Sequence, residues 1–72
     1  MMKTLKLRDG DEYITLGQLL KAVGLVENGA EAKAVITEGK VRVNGETDLR
    51  RGRKLYDGDT AVYSGTEIRV VR

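Results

Sequence analysis

Arg50, Arg51, Arg53 and Lys54 fall within five positions around Gly52, in the stretch LRRGRKLYDGD at 49–59, and Asp57 and Asp59 follow at once. A guanidinium grips phosphate through a planar, bidentate fork and stacks on bases. Each cation set against a phosphate also displaces a condensed counterion, which drives association. The run therefore suits a polyanion, with Gly52 leaving room for close approach of the backbone. It suits equally well an exposed connection whose cations are solvated and screen Glu46 and Asp48.

Other chemistry is scarce. The 72 residues contain neither His nor Cys. Nucleophilic catalysis by a Ser-His or Cys-His pair, thiol chemistry and a structural zinc site are thereby closed. Gly39-Lys40 is followed by Val41, so no phosphate loop forms there. DGD occurs at 9–11 and again at 57–59, each time outside a calcium-loop pattern, and both copies read as turns. No pair of acids sits among apolar or aromatic residues that could shift a pKa, and a chain this short has little room for a deep pocket. Catalysis, metal binding and cofactor binding are not expected.

The net charge of +2 hides an uneven distribution. Residues 33–54 carry seven cations, Lys33, Lys40, Arg42, Arg50, Arg51, Arg53 and Lys54, against three acids; the rest of the chain carries six against eight. Concentrated positive charge favours a polyanionic partner more than the total does. The three aromatics are all Tyr. Tyr56, beside the basic run, either stacks on a base or sits at the rim of the core, where an amphipathic ring is well placed. Tyr13 and Tyr63 are expected in the core. Three tyrosines do not make the aromatic platform used by single-strand binders, so a nucleic-acid partner is better a folded RNA met through backbone and shape.

These side chains need a frame, and the chain has the signals for one. KTLKLR sets Leu5 and Leu7 against Lys6 and Arg8 in the period of a half-buried strand. Tyr13 and Ile14 can add a short strand. Thr15 and Gln18 form a capping box, after which Leu16, Leu19, Leu20 and Val23 make one apolar stripe that stops at Gly24. Asn28 caps a second helix with Ala32, Val35 and Ile36 inward and Gly39 as its stop. Lys33 and Thr37 lie on its opposite face. Only about four residues join the helices, so they pack as neighbours.

The second half is β. Val41 and Val43 alternate with Lys40 and Arg42, then meet Asn44-Gly45, a strong signal for a type I′ hairpin. TAVY at 60–63 and EIRVV at 67–71 are further strands around Ser64-Gly65-Thr66. A domain of this size buries only about 60 % of its unfolded surface and supports one core, so residues 1–72 are expected to be one domain. No apolar run approaches a membrane span, and the first dozen residues lack a signal-peptide apolar region. A cytoplasmic monomer is expected.

The string GAEAKAVITEGKVRVNGE at 29–46, with LGQLLKAVGL before it and Gly58-Asp59 after it, resembles the S4-type RNA-binding domain, over roughly residues 12–63. The basic RRGRKL stretch is similar to that of the family's short stand-alone bacterial members. The resemblance implies an α+β fold in which two short helices pack on a small, bent, mostly antiparallel sheet, and a partner that is structured RNA, either rRNA or tRNA, on or off the ribosome. It carries Lys33 onto a helix position that faces RNA, Lys40 and Arg42 onto the adjoining strand, and Arg50, Arg51, Arg53 and Lys54 onto the following loop. Asn44 and Gly45 set the turn that presents them. Many members have Arg where this chain has Gly29. The family domain also occurs attached to pseudouridine synthases and tyrosyl-tRNA synthetases, whose activities do not transfer to a chain without their catalytic domains. A rival expectation is a protein-interaction module that pairs an edge strand at 67–71 with a partner and docks the basic loop on an acidic surface.

Overall fold

The computed structural model describes residues 1–72. The chain runs β1 (Met2–Lys6), β2 (Tyr13–Thr15), α1 (Leu16–Ala22), α2 (Gly29–Thr37), β3 (Val41–Val43), β4 (Glu46–Thr47), β5 (Lys54–Tyr56), β6 (Thr60–Tyr63) and β7 (Thr66–Val71). The fold is α+β, and no helix is long and apolar enough to cross a membrane.

Both helices begin and end as local chemistry dictates. At α1 the Gln18 amide donates to Thr15 Oγ1 and the Thr15 amide to Gln18 Oε1, closing the capping box. At α2 the Glu31 amide donates to Asn28 Oδ1 at 2.9 Å. Each helix stops in a Schellman arrangement. The amides of Gly24 and Leu25 bond the carbonyls of Lys21 and Leu20, and those of Gly39 and Lys40 bond Ile36 and Val35. Gly39 takes φ +77°, which a side chain would disfavour, and this turns the chain directly into β3. Leu16, Leu19, Leu20, Ala32, Val35 and Ile36 are the buried stripes, and they share one core with Val41, Val43, Leu55, Ala61, Ile68 and Val70.

Five strands form one sheet in the order β1-β7-β6-β3-β4. All its pairs are antiparallel except β1 with β7, which is parallel, with Leu5 opposite Val70. Asn44 (φ 50°) and Gly45 (φ 86°) close the β3–β4 hairpin as expected. The Asn44 side chain also reaches beyond its own turn. Its Oδ1 accepts from the Thr60 amide at 3.0 Å, and its Nδ2 donates to Asp59 Oδ1.

Three expectations are corrected here. The strand at 67–71 is not an edge, because β7 lies between β1 and β6 and both its backbone edges are used. The edges are β1 and β4, so the rival based on pairing through 67–71 loses its docking strand. Lys54 is not in a loop: Lys54–Tyr56 form β5, which pairs antiparallel with β2 in a separate two-stranded ribbon. Tyr13 is not core. Ile14 faces Leu55 on the inward side of this ribbon, and strand alternation then drives Tyr13, Tyr56 and Lys54 outward. Tyr63 packs against the core from a half-buried position.

Candidate nucleic-acid interface

The basic run is organised by one buried acid. Asp48 is only 6 % exposed, and its carboxylate accepts four hydrogen bonds. The Arg50 amide and Arg50 Nε donate to Oδ1 at 2.9 and 3.1 Å, while Arg50 Nη2 and Arg53 Nη1 donate to Oδ2 at 2.8 and 2.7 Å. The Arg50 guanidinium is thus bidentate, the geometry that makes such pairs strong. These bonds, led by the Arg50 side chain, hold the Asp48 carboxyl far below the usual carboxylate range even though burial pushes the other way. Arg50 and Arg53 are therefore the internal frame of the loop as well as part of its charge.

The same loop is fastened to α1 through its carbonyls. The Leu16 amide donates to Arg53 O at 2.8 Å and the Gly17 amide to Arg51 O at 3.0 Å. With Gln18 capped by Thr15, the first three amides of α1 are all satisfied, two of them by the basic segment. Gly17 makes this approach possible. A Cβ there would lie 2.9 Å from Arg51 Cγ and 3.6 Å from Arg51 O, so the Arg51 stem crosses the helix where no side chain stands. Gly17→Val is accordingly expected to displace the loop and destabilise the protein by about 1–3 kcal/mol, the usual cost of overpacking. Thermal denaturation checks this, and a variant as stable as the parent would show that the contact is not needed.

The cations identified from sequence separate into groups. Arg51 and Lys54 carry no ion pair; Lys54 Nζ sits 4.8 Å from the centroid of the Tyr13 ring. Lys33 is exposed on α2 and also unpaired. Lys40 lies just ahead of β3 rather than on it as expected, and it pairs with Glu38 at 3.0 Å in an exposed contact that raises the ammonium pKa. Arg42 stands apart. Its neighbours Val41 and Val43 point into the core beneath the helices, so Arg42 projects from the opposite face of the sheet.

A shallow cleft of about 210 Å³ lies where α1, the start of α2 and the basic loop meet. Gly17, Gly29, Gly52 and Ala32 leave it open, and its charged lining is Lys21 and Arg51, with no acid. Lys33 follows Ala32 one turn beyond Gly29. Lys21 was not among the candidates named from sequence. Its only signal there was its place in α1, three residues after Gln18, and nothing local says that the loop will fold against that face.

The family profile described as "S4 domain" matches residues 5–71. The chain is 50 % identical over 54 residues to the Bacillus subtilis protein named "Probable ribosome maturation protein RlbA", covering 75 % of this chain and 76 % of that one. To YbcJ of Escherichia coli it is 39 % identical over 59 residues, covering 82 % and 84 %. The solution structure of E. coli YbcJ, described as revealing an "alfaL" motif involved in RNA-binding, superposes with a TM-score of 0.73 at 36 % identity, covering all of this chain and 90 % of that one. A tyrosine–tRNA ligase of Burkholderia lata matches over 52 residues at 38 % identity, but this stretch is only 13 % of the ligase.

Proposed function

The chain belongs to the S4 domain family, and from that premise we propose that it is a non-catalytic cytoplasmic protein that binds folded RNA, ribosomal RNA first and tRNA second, as part of ribosome assembly or function. The observation that carries this is the fastening of the basic segment to α1. Main-chain bonds from Leu16 and Gly17 hold Arg51 beside Lys21 in a helix–loop cleft that lacks acids, and Lys33 is exposed on α2, next in sequence to the cleft residue Ala32. Preorganised cations on a rigid frame match the fixed phosphate spacing of a folded RNA, and most contacts to such a target position the protein rather than read bases. Arg50, Arg53 and Lys54 extend the surface along the loop and β5, whereas Arg42, on the opposite face of the sheet, lies outside it, and Lys40 is paired with Glu38. The relatives support the RNA assignment through a ribosome maturation name and an RNA-binding motif.

Two features support a binding role without catalysis. The one carboxylate whose pKa is moved far from its ordinary value, Asp48, is fully committed to Arg50 and Arg53. The ligase relative shares only 13 % of its length with this chain, too little to carry its activity over.

Binding of the protein to purified ribosomal RNA and to tRNA over a salt series tests the proposal. Affinity is expected to fall linearly on logarithmic axes as salt rises. Flat salt dependence, or no binding to either RNA, would overturn it. A pull-down from lysate, with and without nuclease, adds a check: partners that survive nuclease treatment favour protein contact instead.

A further inference from the structure

We propose that the exposed Tyr13–Tyr56 pair is a stacking seat for one unpaired base, so that the RNA taken by this surface carries a bulged or looped-out nucleotide beside its helical part. The inference rests on the RNA-binding function and specifies its ligand.

The two tyrosines face each other across the β2–β5 ribbon, with ring centroids 5.7 Å apart and planes tilted by 54°. Tyr13 is 40 % and Tyr56 46 % exposed. The chain has only three aromatic residues, and it sets two of them outward while aliphatic side chains fill the core. The ribbon holds them firmly. Ile14 and Leu55 anchor its inner side, and the Tyr56 amide donates to Asp59 Oδ2 at 2.8 Å, the acid whose other oxygen accepts from Asn44.

The charges around the pair identify the occupant. On one side Tyr56 shares a shallow cleft with Arg50, Gly52, Arg53 and Lys54. On the other side Tyr13 borders a cleft of about 440 Å³ that also holds Lys6, Arg8 and Lys21, with Asp11 its one acid. A tilted aromatic pair with cations near both rings, among them Lys54 Nζ 4.8 Å from the Tyr13 centroid, matches a base that carries a phosphate at each end of its nucleotide. Base–aromatic stacking is tolerant of sequence, because every base has a π-face, and cations beside the ring add to it. A perfectly paired helix keeps its bases stacked inside and has none to offer, so the unpaired nucleotide is the required feature.

The test compares two stem-loop RNAs, one with a perfect stem and one with a single unpaired fluorescent purine analogue in the same stem. The wild-type protein is expected to bind the bulged stem roughly tenfold or more tightly, and to quench the analogue. In the Tyr13→Leu/Tyr56→Leu variant that ratio should fall to about one, while Tyr56→Phe, which keeps the ring, should retain it. Thermal denaturation confirms that each variant is folded. Equal wild-type affinity for both stems, or a ratio that survives the double Leu change, would overturn the stacking seat and leave RNA binding standing. Binding of neither stem by a protein that does bind ribosomal RNA or tRNA would likewise overturn the stacking seat; binding of no RNA at all would overturn RNA binding itself.

Discussion

Replacing Asp48 with alanine is expected to destabilise the protein by about 2–3 kcal/mol, the cost of losing charge-assisted hydrogen bonds to a buried acceptor that water restores only in part at the more exposed arginines. For a domain of this size that corresponds to a fall in melting temperature of roughly 10 °C or more. Asp48 is the single acceptor for the Arg50 amide, the Arg50 guanidinium and Arg53 Nη1, and these bonds shape the segment whose carbonyls cap α1. Asp48→Asn keeps an oxygen for part of this set and should lose less. The variant also separates loop order from charge. Asp48→Ala raises the net charge by one, which by electrostatics alone would tighten RNA binding; weaker binding at a temperature where the variant is shown to be fully folded would show that the ordered loop is what the RNA meets. A variant as stable as the parent would remove Asp48 from this role.

The same carboxylate predicts how stability depends on pH. Its folded pKa is depressed by the arginines, far below an unfolded value of about 3.9. The unfolded chain therefore takes up the proton first as pH falls. The contribution of Asp48 is fully present above about pH 5, begins to be lost around pH 4, and continues to fall toward the depressed folded value. The stability gap between wild type and Asp48→Ala should thus narrow steadily as the pH is lowered from 5 toward 2, in denaturation curves measured at each pH. A gap that stays constant over this range would show that the ionised carboxylate is not its source.

The second large effect concerns RNA. Replacing Lys21, Lys33, Arg51 and Lys54 together by Gln is expected to reduce the slope of log affinity against log salt by about three to four, slightly under one for each of the four lost phosphate contacts. Affinity at low salt should fall by orders of magnitude with it. Lys21 and Arg51 line one cleft, and none of the four is held in an ion pair. By contrast Lys40→Gln, which loses a cation already paired with Glu38, should change the slope little. Turning Arg50 and Arg53 into Glu is a poor probe of RNA contact. It would set new carboxylates against buried Asp48, and lost affinity would then report lost folding. An unaltered slope in the quadruple Gln variant would exclude this surface as the binding site.

Sequence by itself determined whatever is settled within a few residues. Thr15 with Gln18 and Asn28 with Glu31 cap helices because a side chain can reach an amide only three positions away. Gly39 and Asn44-Gly45 stop and turn the chain because they tolerate positive φ, and alternating valines choose the inward face of β3. These features, in their order, were also enough to display the family. Tertiary structure decided the rest. The three-residue strands β2 and β5 are too short to show a period, and their pairing joins residues some forty positions apart; it alone turned Tyr13 outward and made Lys54 a strand residue. The parallel seat of β1 beside β7, which removed the expected edge at 67–71, is likewise a long-range choice. Read alone, LRRGRKLYDGD stays open between solvated loop and working surface because its charges look alike in one dimension; the family resemblance tips it toward the second without saying which cations are free. Only folding sorts them, burying Asp48 against Arg50 and Arg53, laying Arg51 across Gly17 and bringing Lys21 to its side, since the energy of a charge is set by its burial and its neighbours in space rather than by its place in the chain.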